Sequence, residues 1–251
     1  MHITVTGSHG FIGQHLEKHL ESQGHTVECW DLLNQKDIAN FELKNVSVYS
    51  DIWYEVTDLV IHLAAKADIR ESFKDPNLYW QQNVINTEKV FDKCKRHNVR
   101  VIYASSSACL EWHRNPYAIS KYVNEYTAPE NSVGLRFSTV WGDGARGTML
   151  ISKIKNGTVT YATTHTRDFI HVSDVVSAIQ TIIDNPKERG VFECGAGLQC
   201  KVDQLVAQNG YDVPVTNGED FELESNVLKS SKLRALGWTP KINVMEEKLC
   251  N

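Results

Sequence analysis

An α/β fold with a doubly wound parallel sheet is predicted for this chain on three observations. Strand-like and helix-like segments alternate from the first residue. The strand candidates are short β-branched and apolar runs. A glycine-rich turn, TGSHGFIG, joins the first of them to the first helix. The strand runs are ITVTG (3–7), HTVECWD (25–31), VSVYS (46–50), DLVIHLAA (58–65), VRVIYASSS (99–107) and SVGLRFSTV (132–140), enough for one sheet. Residues 11–23 carry Ile12, Leu16 and Leu20 at four-residue spacing and stop before Gly24, as an amphipathic helix with a glycine cap does. A longer helix is expected over 76–97, with proline in its first turn. Around 141–166 the pattern weakens and Gly, Thr and Asn accumulate. The expected division is therefore a core over 1–140 and a reduced lobe over 141–251, with the segment around 167–185 returning to the core.

Size and composition narrow the function classes. At 251 residues, 41% hydrophobic and 23% charged, the chain can bury a substantial core and does not have a disordered composition. A formal charge of −5 gives no general attraction to phosphate backbones, so no nucleic-acid partner is expected. No apolar run reaches membrane-spanning length, and the opening MHITVTG reads directly as a strand without a leader, so the expectation is a cytoplasmic protein with no membrane partner. Six cysteines without a C-x-x-C pair and ten scattered histidines suggest no metal site.

In TGSHGFIG the glycines Gly7, Gly10 and Gly13 are spaced G-x-x-G-x-x-G, one position off the G-x-G-x-x-G dinucleotide fingerprint. The physical logic is shared. One glycine makes the tight turn, another clears room for a pyrophosphate, the third lets helix approach strand, and the helix N-terminus faces the phosphate charge. Phe11 and Ile12 open that helix and join the candidate cofactor contacts. Asp31 ends the second strand, eighteen residues past Gly13. There a carboxylate can accept bonds from the adenosine ribose hydroxyls and repel a 2′-phosphate, which favours NAD over NADP; the alternative is an acid that merely begins a turn. Asp51 and Ile52 are candidates for adenine, with a plain loop acid as the other reading of Asp51. Leu63, Ala64 and Ala65, at the end of the fourth run, supply small residues where backbone can pass close to a cofactor.

The stretch PYAISK (116–121) sets Tyr117 and Lys121 one helical turn apart on the same face. A free phenol, with a pKa near 10, is a poor base at neutral pH. A neighbouring ammonium and a cationic nicotinamide both favour its ionised form, so Tyr117 could take a proton from a substrate hydroxyl while hydride leaves the same carbon. Two residues sharing an ordinary helix face is the competing reading. The serines of SSSAC (105–109) end the preceding strand at the carboxyl edge of the sheet, where open α/β folds place ligands, and so favour the chemical one.

With these segments in place the chain resembles the extended short-chain dehydrogenase/reductases, specifically the NAD-dependent nucleotide-sugar epimerase/dehydratase family, with UDP-glucose 4-epimerase-like members as the nearest match. The resemblance spans nearly the whole chain through TGSHGFIG, DLVIHLAA, NVINTEKV (83–90), YASSSA, PYAISK, LRFSTVWG, TRDFIHVSDV (166–175), FECGAG (192–197) and LGWTPK (236–241). It implies a Rossmann-type core with a small C-terminal α/β substrate lobe. It also implies Ser107 as catalytic hydroxyl, Tyr117 as acid/base, and Lys121 as its partner and a ligand of the nicotinamide ribose. Asn83 matches an asparagine beside the active site. Thr139 stands where an asparagine often contacts substrate. Arg167 matches an arginine that grips the diphosphate, with a surface ion pair to Asp168 as its other reading. A homodimer formed by the helices at 76–97 and 116–127 is implied as well.

The chain departs from the family in its loops. Only nine residues, ACLEWHRNP, separate Ser107 from Tyr117, much fewer than is usual. The dehydratase branch needs an Asp-Glu pair after the catalytic serine or threonine; Ala108-Cys109 stands there, so sugar dehydration is disfavoured. Keto-sugar epimerase/reductases place an acid/base cysteine near Cys109, but their partner histidine has no match in WGDGARGT; a small buried residue is the other reading. The expectation is an NAD-dependent 4-epimerase of a nucleotide-activated sugar. The alternatives are a keto-sugar reductase or epimerase/reductase, and a non-catalytic dinucleotide sensor.

Overall fold

In the computed structural model, residues 1–31 and 57–249 are described. Strands β1 (His2–Thr6), β2 (Thr26–Trp30), β3 (Leu59–His62), β4 (Arg100–Ser106) and β5 (Ser132–Phe137) join the strand Gly190–Cys194 in one sheet. Its order is β2-β1-β3-β4-β5 and then Gly190–Cys194, and every pairing is parallel. The fold is thus the expected Rossmann-type α/β arrangement. The strand Gly190–Cys194 is an addition to the expected set, and VSVYS lies outside the described residues. The run 132–140 divides because the backbone changes partner. Ser138 N–H still donates to Cys194 O of the sheet (3.1 Å), whereas Thr139 N–H donates to Asp168 O (2.9 Å) and starts a short strand Thr139–Trp141 paired with Phe169–His171.

Both faces of the sheet are covered, as parallel strands require. The pleat of β3 shows how. Leu59 and Ile61 face a core shared with Ile3, Val5, Ile102, Leu135 and the helices α1 (Phe11–Ser22) and Val172–Asp184, while Val60 faces Phe91 and Cys94 across the sheet. Leu16 and Leu20 of α1 are fully buried there; each contributes about 1.5–3 kcal/mol by leaving water. The helix ends where Gly24, at φ +80°, closes its last turn by donating to Glu21 O (2.9 Å). A separate cluster, including Ile151, Ile154, Phe169, Val202 and Leu205, forms within the C-terminal half. Trp238 of LGWTPK donates to Ser177 Oγ (2.9 Å), fastening the end of the chain to the helix Val172–Asp184.

The expected helix over 76–97 is one continuous run with a change of pitch. Asp75 caps it by accepting from Leu78 N–H (2.9 Å), Pro76 fills the first position, and α-helix Pro76–Tyr79 passes through a π-helical stretch Trp80–Ile85 into α-helix Asn86–Arg96. A π-stretch widens the turn and redirects side chains, commonly at functional sites. Here it turns Asn83 fully inward.

Candidate active site

The chain leaves β1, runs to β2 on one side and comes back as β3 on the other. The carboxyl ends of β1 and β3 therefore flank a switch-point crevice. Gly7 sits in it at φ +71°, its N–H donating to Trp30 O (2.8 Å). A Cβ on Gly7 would lie 2.7 Å from Ala64 N, and one on Gly13 would lie 2.2 Å from Gly7 O. Only glycine permits this closeness of turn, helix and Leu63-Ala64 backbone. Gly10 is exposed at the N-cap of α1 and offers no side-chain cap, which leaves the first helical N–H groups without a capping acceptor and suited to an anion. Phe11, Ile12 and Leu63 are half-buried and pack on the main core; Ala65 is half-buried beside them. Asp31 accepts a hydrogen bond from His9 N–H (3.1 Å), which brings its carboxylate to the same turn. An open helix end, a glycine cradle and a carboxylate at the tip of β2 fit the pyrophosphate and adenosine ribose of NAD. Asp51 and Ile52 lie outside the described residues.

The helix Pro116–Thr127 is capped by Asn115, which accepts from Ala118 N–H (2.7 Å), and carries the acid/base candidates. Lys121 is buried and donates its Nζ proton to Ala104 O (2.9 Å) on β4; burial lowers its pKa to about 8. Burial also dominates at Tyr117 and pushes the phenol up to about 12, outweighing the lowering expected from a neighbouring ammonium. The hydroxyl that opposes this shift is Ser106, not Ser107. Ser106 closes β4 and accepts from Ala108 N–H (3.1 Å), whereas Ser107 begins the next turn and is directed to Asn226, whose Nδ2 donates to it at 3.4 Å. Successive residues at a strand end point apart, so one of two adjacent serines faces the phenol. Tyr79 meets the Tyr117 ring edge-on at 6.4 Å. Cys109 is buried 3.5 Å from Ser105, its thiol pushed up to about 11 by burial.

Asn83 ties the cofactor crevice to this helix. Its Oδ1 accepts from Lys66 N–H (2.8 Å), and its Nδ2 donates to Lys66 O (2.9 Å) and to Ser120 Oγ (3.0 Å). Ser120 in turn donates to Tyr117 O (2.7 Å). Contacts therefore run unbroken from Gly7 through Ala64 and Lys66 to Asn83, Ser120 and Tyr117.

On the opposite side Asn226 donates to Thr139 Oγ1 (2.9 Å) as well as to Ser107, and accepts from Asp168 N–H (2.8 Å). Arg167 does not pair with Asp168. The Asp168 carboxylate is buried and accepts from the N–H groups of Gly197, Leu198 and Leu228, while Arg167 donates to Glu222 Oε2 (3.0 Å) and Leu223 O (2.7 Å). Ser106, Asn226, Arg70, Arg146 and Glu222 are site neighbours that the sequence did not single out. Arg146 bonds Asp68 Oδ2 (3.2 Å) and Ala67 O (2.9 Å) just past β3. Among the described residues no cluster of His, Cys, Asp and Glu could hold a metal, and no helix is long and apolar enough to cross a membrane.

The pattern of the NAD dependent epimerase/dehydratase family matches residues 3–195. The chain belongs to this family. Its members are NAD-dependent enzymes that include epimerases, dehydratases and reductases. A putative UDP-glucose 4-epimerase of Methanocaldococcus jannaschii is 25% identical, over 97% of this chain and 95% of its own length. The GDP-6-deoxy-D-mannose reductase of Pseudomonas aeruginosa is 27% identical, over 96% and 93%. Among solved structures, MoeE5 in complex with UDP-glucuronic acid and NAD superposes with a TM-score of 0.81 at 25% identity, covering 99% of this chain and 96% of that one. The chain aligns across nearly the whole span of these relatives, and its connection between β4 and the helix Pro116–Thr127 is short.

Proposed function

We propose that the protein epimerises C4 of a nucleotide-activated sugar through a keto intermediate, with NAD retained from one turnover to the next. The observation that supports this reading is the contact path from the glycine turn to the backbone of Tyr117, on whose helix the half-buried phenol and the buried Lys121 amine stand one turn apart. NAD, when bound, supplies the hydride acceptor and returns the hydride. Tyr117, its own proton given up to solvent once the cationic nicotinamide would stand beside it with the Lys121 ammonium near, takes the proton of the sugar hydroxyl as phenolate and restores it after the keto-sugar has turned, with the Ser106 hydroxyl hydrogen-bonded to the phenol. Ser107 and Thr139, fastened together by Asn226, form the substrate-facing wall. Arg167 serves the diphosphate. Gly7, Gly10, Phe11, Ile12, Gly13, Asp31, Leu63, Ala64, Ala65 and Asn83 make up the cofactor side.

The test is a turnover screen of UDP-, GDP- and dTDP-sugars with wild-type protein and Tyr117→Phe. Wild type is expected to interconvert a sugar pair without consuming added cofactor. Tyr117→Phe should lose about 10²–10⁴-fold in kcat while binding NAD as wild type does. Stoichiometric consumption of reduced cofactor would make the protein a keto-sugar reductase instead. Undiminished turnover in Tyr117→Phe would remove the mechanism.

A further inference from the structure

The last three residues of β4 each engage the helix Pro116–Thr127. Ser106 faces the Tyr117 phenol, Ala104 O accepts from Lys121 Nζ (2.9 Å), and Ser105 Oγ donates to Glu125 Oε1 (2.5 Å). Tyr117, Lys121 and Glu125 follow one another at four-residue intervals, so each lies about one turn further along the same side of the helix. Glu125 is the member that the acid/base reading leaves unused. Its carboxylate is also gripped from β5, where Arg136 donates from Nε to Oε1 (2.7 Å) and from Nη2 to Oε2 (2.5 Å) in a two-pronged pair. Arg136 stands opposite Ser105 in the register of β4 and β5, so two strands and the helix close on one carboxylate.

This pair is withdrawn from water, with 7% of the Glu125 side chain and 21% of the Arg136 side chain accessible. Desolvation of two such charges largely offsets their attraction, so stability alone does not account for them. Their position beside Lys121 does. The groups that face the Lys121 amine are His62 from β3, Cys109 from the turn after β4 and Glu125 from its own helix. Tyr103 of β4 and Arg136 of β5 stand behind them, facing Cys109 and Glu125. Burial holds His62 down at about 3 and the Cys109 thiol up at about 11, so both are neutral at neutral pH. Glu125, ion-paired to Arg136, is the negative charge among them. Burial lowers Lys121 to about 8, and the Glu125 carboxylate works against that lowering.

We propose that Glu125, clamped by Arg136 and Ser105, is a positioning residue for the proton-handling pair: it fixes the serine end of β4 against the helix Pro116–Thr127 and keeps Lys121 an ammonium at neutral pH. This rests on the reading of Tyr117 and Lys121 as that pair. Without the carboxylate the amine gives up its charge at lower pH, and the phenol then loses the cation that favours its ionised form. Glu125 acts through Lys121 and Ser105, and not on the sugar itself.

The experiment compares full-length wild type, Glu125→Gln, Glu125→Asp and Glu125→Gln/Arg136→Met, each with and without Lys121→Met, by urea unfolding from about pH 6 to about pH 10 at one NAD concentration. Subtracting the Lys121→Met partner cancels what each substitution costs the fold and leaves the titration of Lys121. In wild type the Lys121 contribution to stability should begin to rise near pH 8, where the folded amine gives up its proton, and level off near 10.5, where the unfolded one does. In Glu125→Gln the rise should begin about one pH unit lower. Glu125→Asp keeps the charge and should begin close to wild type. The double variant leaves no unpaired guanidinium, so it carries the test if the glutamine variant does not fold; its onset should be lowered too. The alkaline fall of kcat in Glu125→Gln should move down with the onset, while KM for the nucleotide-sugar stays as in wild type. An onset unmoved in both Glu125→Gln and the double variant would overturn the proposal and reduce the pair to a structural tie. A lowered onset in a protein that turns over no nucleotide-sugar keeps the coupling of Glu125 to Lys121 and loses the proposed function. Turnover with an unmoved onset does the reverse.

Discussion

Lys121 and Tyr117 are displaced by burial in opposite directions, and the two shifts act on stability at different pH. The Lys121 pKa is lowered to about 8, so between that value and its ordinary one of 10.5 the unfolded chain binds more protons than the folded one. Stability from this residue therefore rises with pH across that window, by up to about 3 kcal/mol at 1.4 kcal/mol for each pKa unit. Tyr117, pushed up to about 12, stays protonated in the folded state while the unfolded phenol ionises, so its contribution is lost only above pH 10. Urea titrations of wild type and Lys121→Met at about pH 7.5 and about pH 9.5 isolate the first effect. Wild type should gain on the variant at the higher pH. A constant gap would mean that Lys121 is fully charged throughout. A phenol raised above its ordinary value is protonated at neutral pH, the form that gives a proton to the sugar oxygen in the return half of the proposed cycle, while the forward half needs the charge of the cofactor to lower it.

At the scale of elements, the site depends on two backbone devices, and each can be removed by a small change. Gly13→Ala places a Cβ 2.2 Å from Gly7 O, and since that atom is backbone the turn has to move. NAD affinity measured by fluorescence titration should fall at least about tenfold, with the melting temperature falling too, whereas Gly24→Ala has open space and only a strained φ to overcome, and should leave NAD affinity intact. Asn83→Ala removes three hydrogen bonds of a buried side chain, two of them to the half-buried Lys66 backbone, and strands the Lys66 N–H, at a cost of about 2–4 kcal/mol in chemical denaturation. Because the same bonds brace the Tyr117 helix, kcat should drop even at temperatures where the variant is folded. These devices differ in how far the sequence reveals them. The glycines and the runs that became β1 to β5 are readable, because turn geometry and buried parallel strands restrict residue type. The π-stretch is not, since its extra residue leaves apolar spacing nearly unchanged. Three consecutive serines look alike in sequence; the end of β4 at Ser106 decides which meets the phenol. Glu222 is 55 residues from Arg167 in no recognisable motif, and only tertiary folding pairs them. The strand Gly190–Cys194 escapes for a similar reason: it has five residues with a glutamate among them, and becomes a strand through pairing with β5.

Among the described residues, large apolar side chains stand exposed on two neighbouring helices. Leu78, Trp80 and Ile85 are exposed along the helix that includes the π-stretch, and Tyr122 and Tyr126 along Pro116–Thr127, with Tyr126 85% accessible. These helices are neighbours, joined by the bond from Asn83 to Ser120. The short connection after β4 adds Trp112, itself exposed and stacked on Tyr122 with ring centroids 5.1 Å apart and planes within 15°. A surface with this many aromatic side chains has the composition of an interface core. A second copy related by a two-fold axis would meet it with the same helices, giving the four-helix contact proposed for the homodimer. Sedimentation velocity should therefore show a particle of twice the 28.4 kDa chain mass. Trp80→Glu and Tyr126→Glu each place a charge on that surface and should shift the protein to monomer. Neither side chain belongs to the glycine turn, so the monomers should bind NAD as tightly as the dimer. Wild-type protein sedimenting as a monomer would dismiss the pairing, and charge variants that remain dimeric would move the interface to another face.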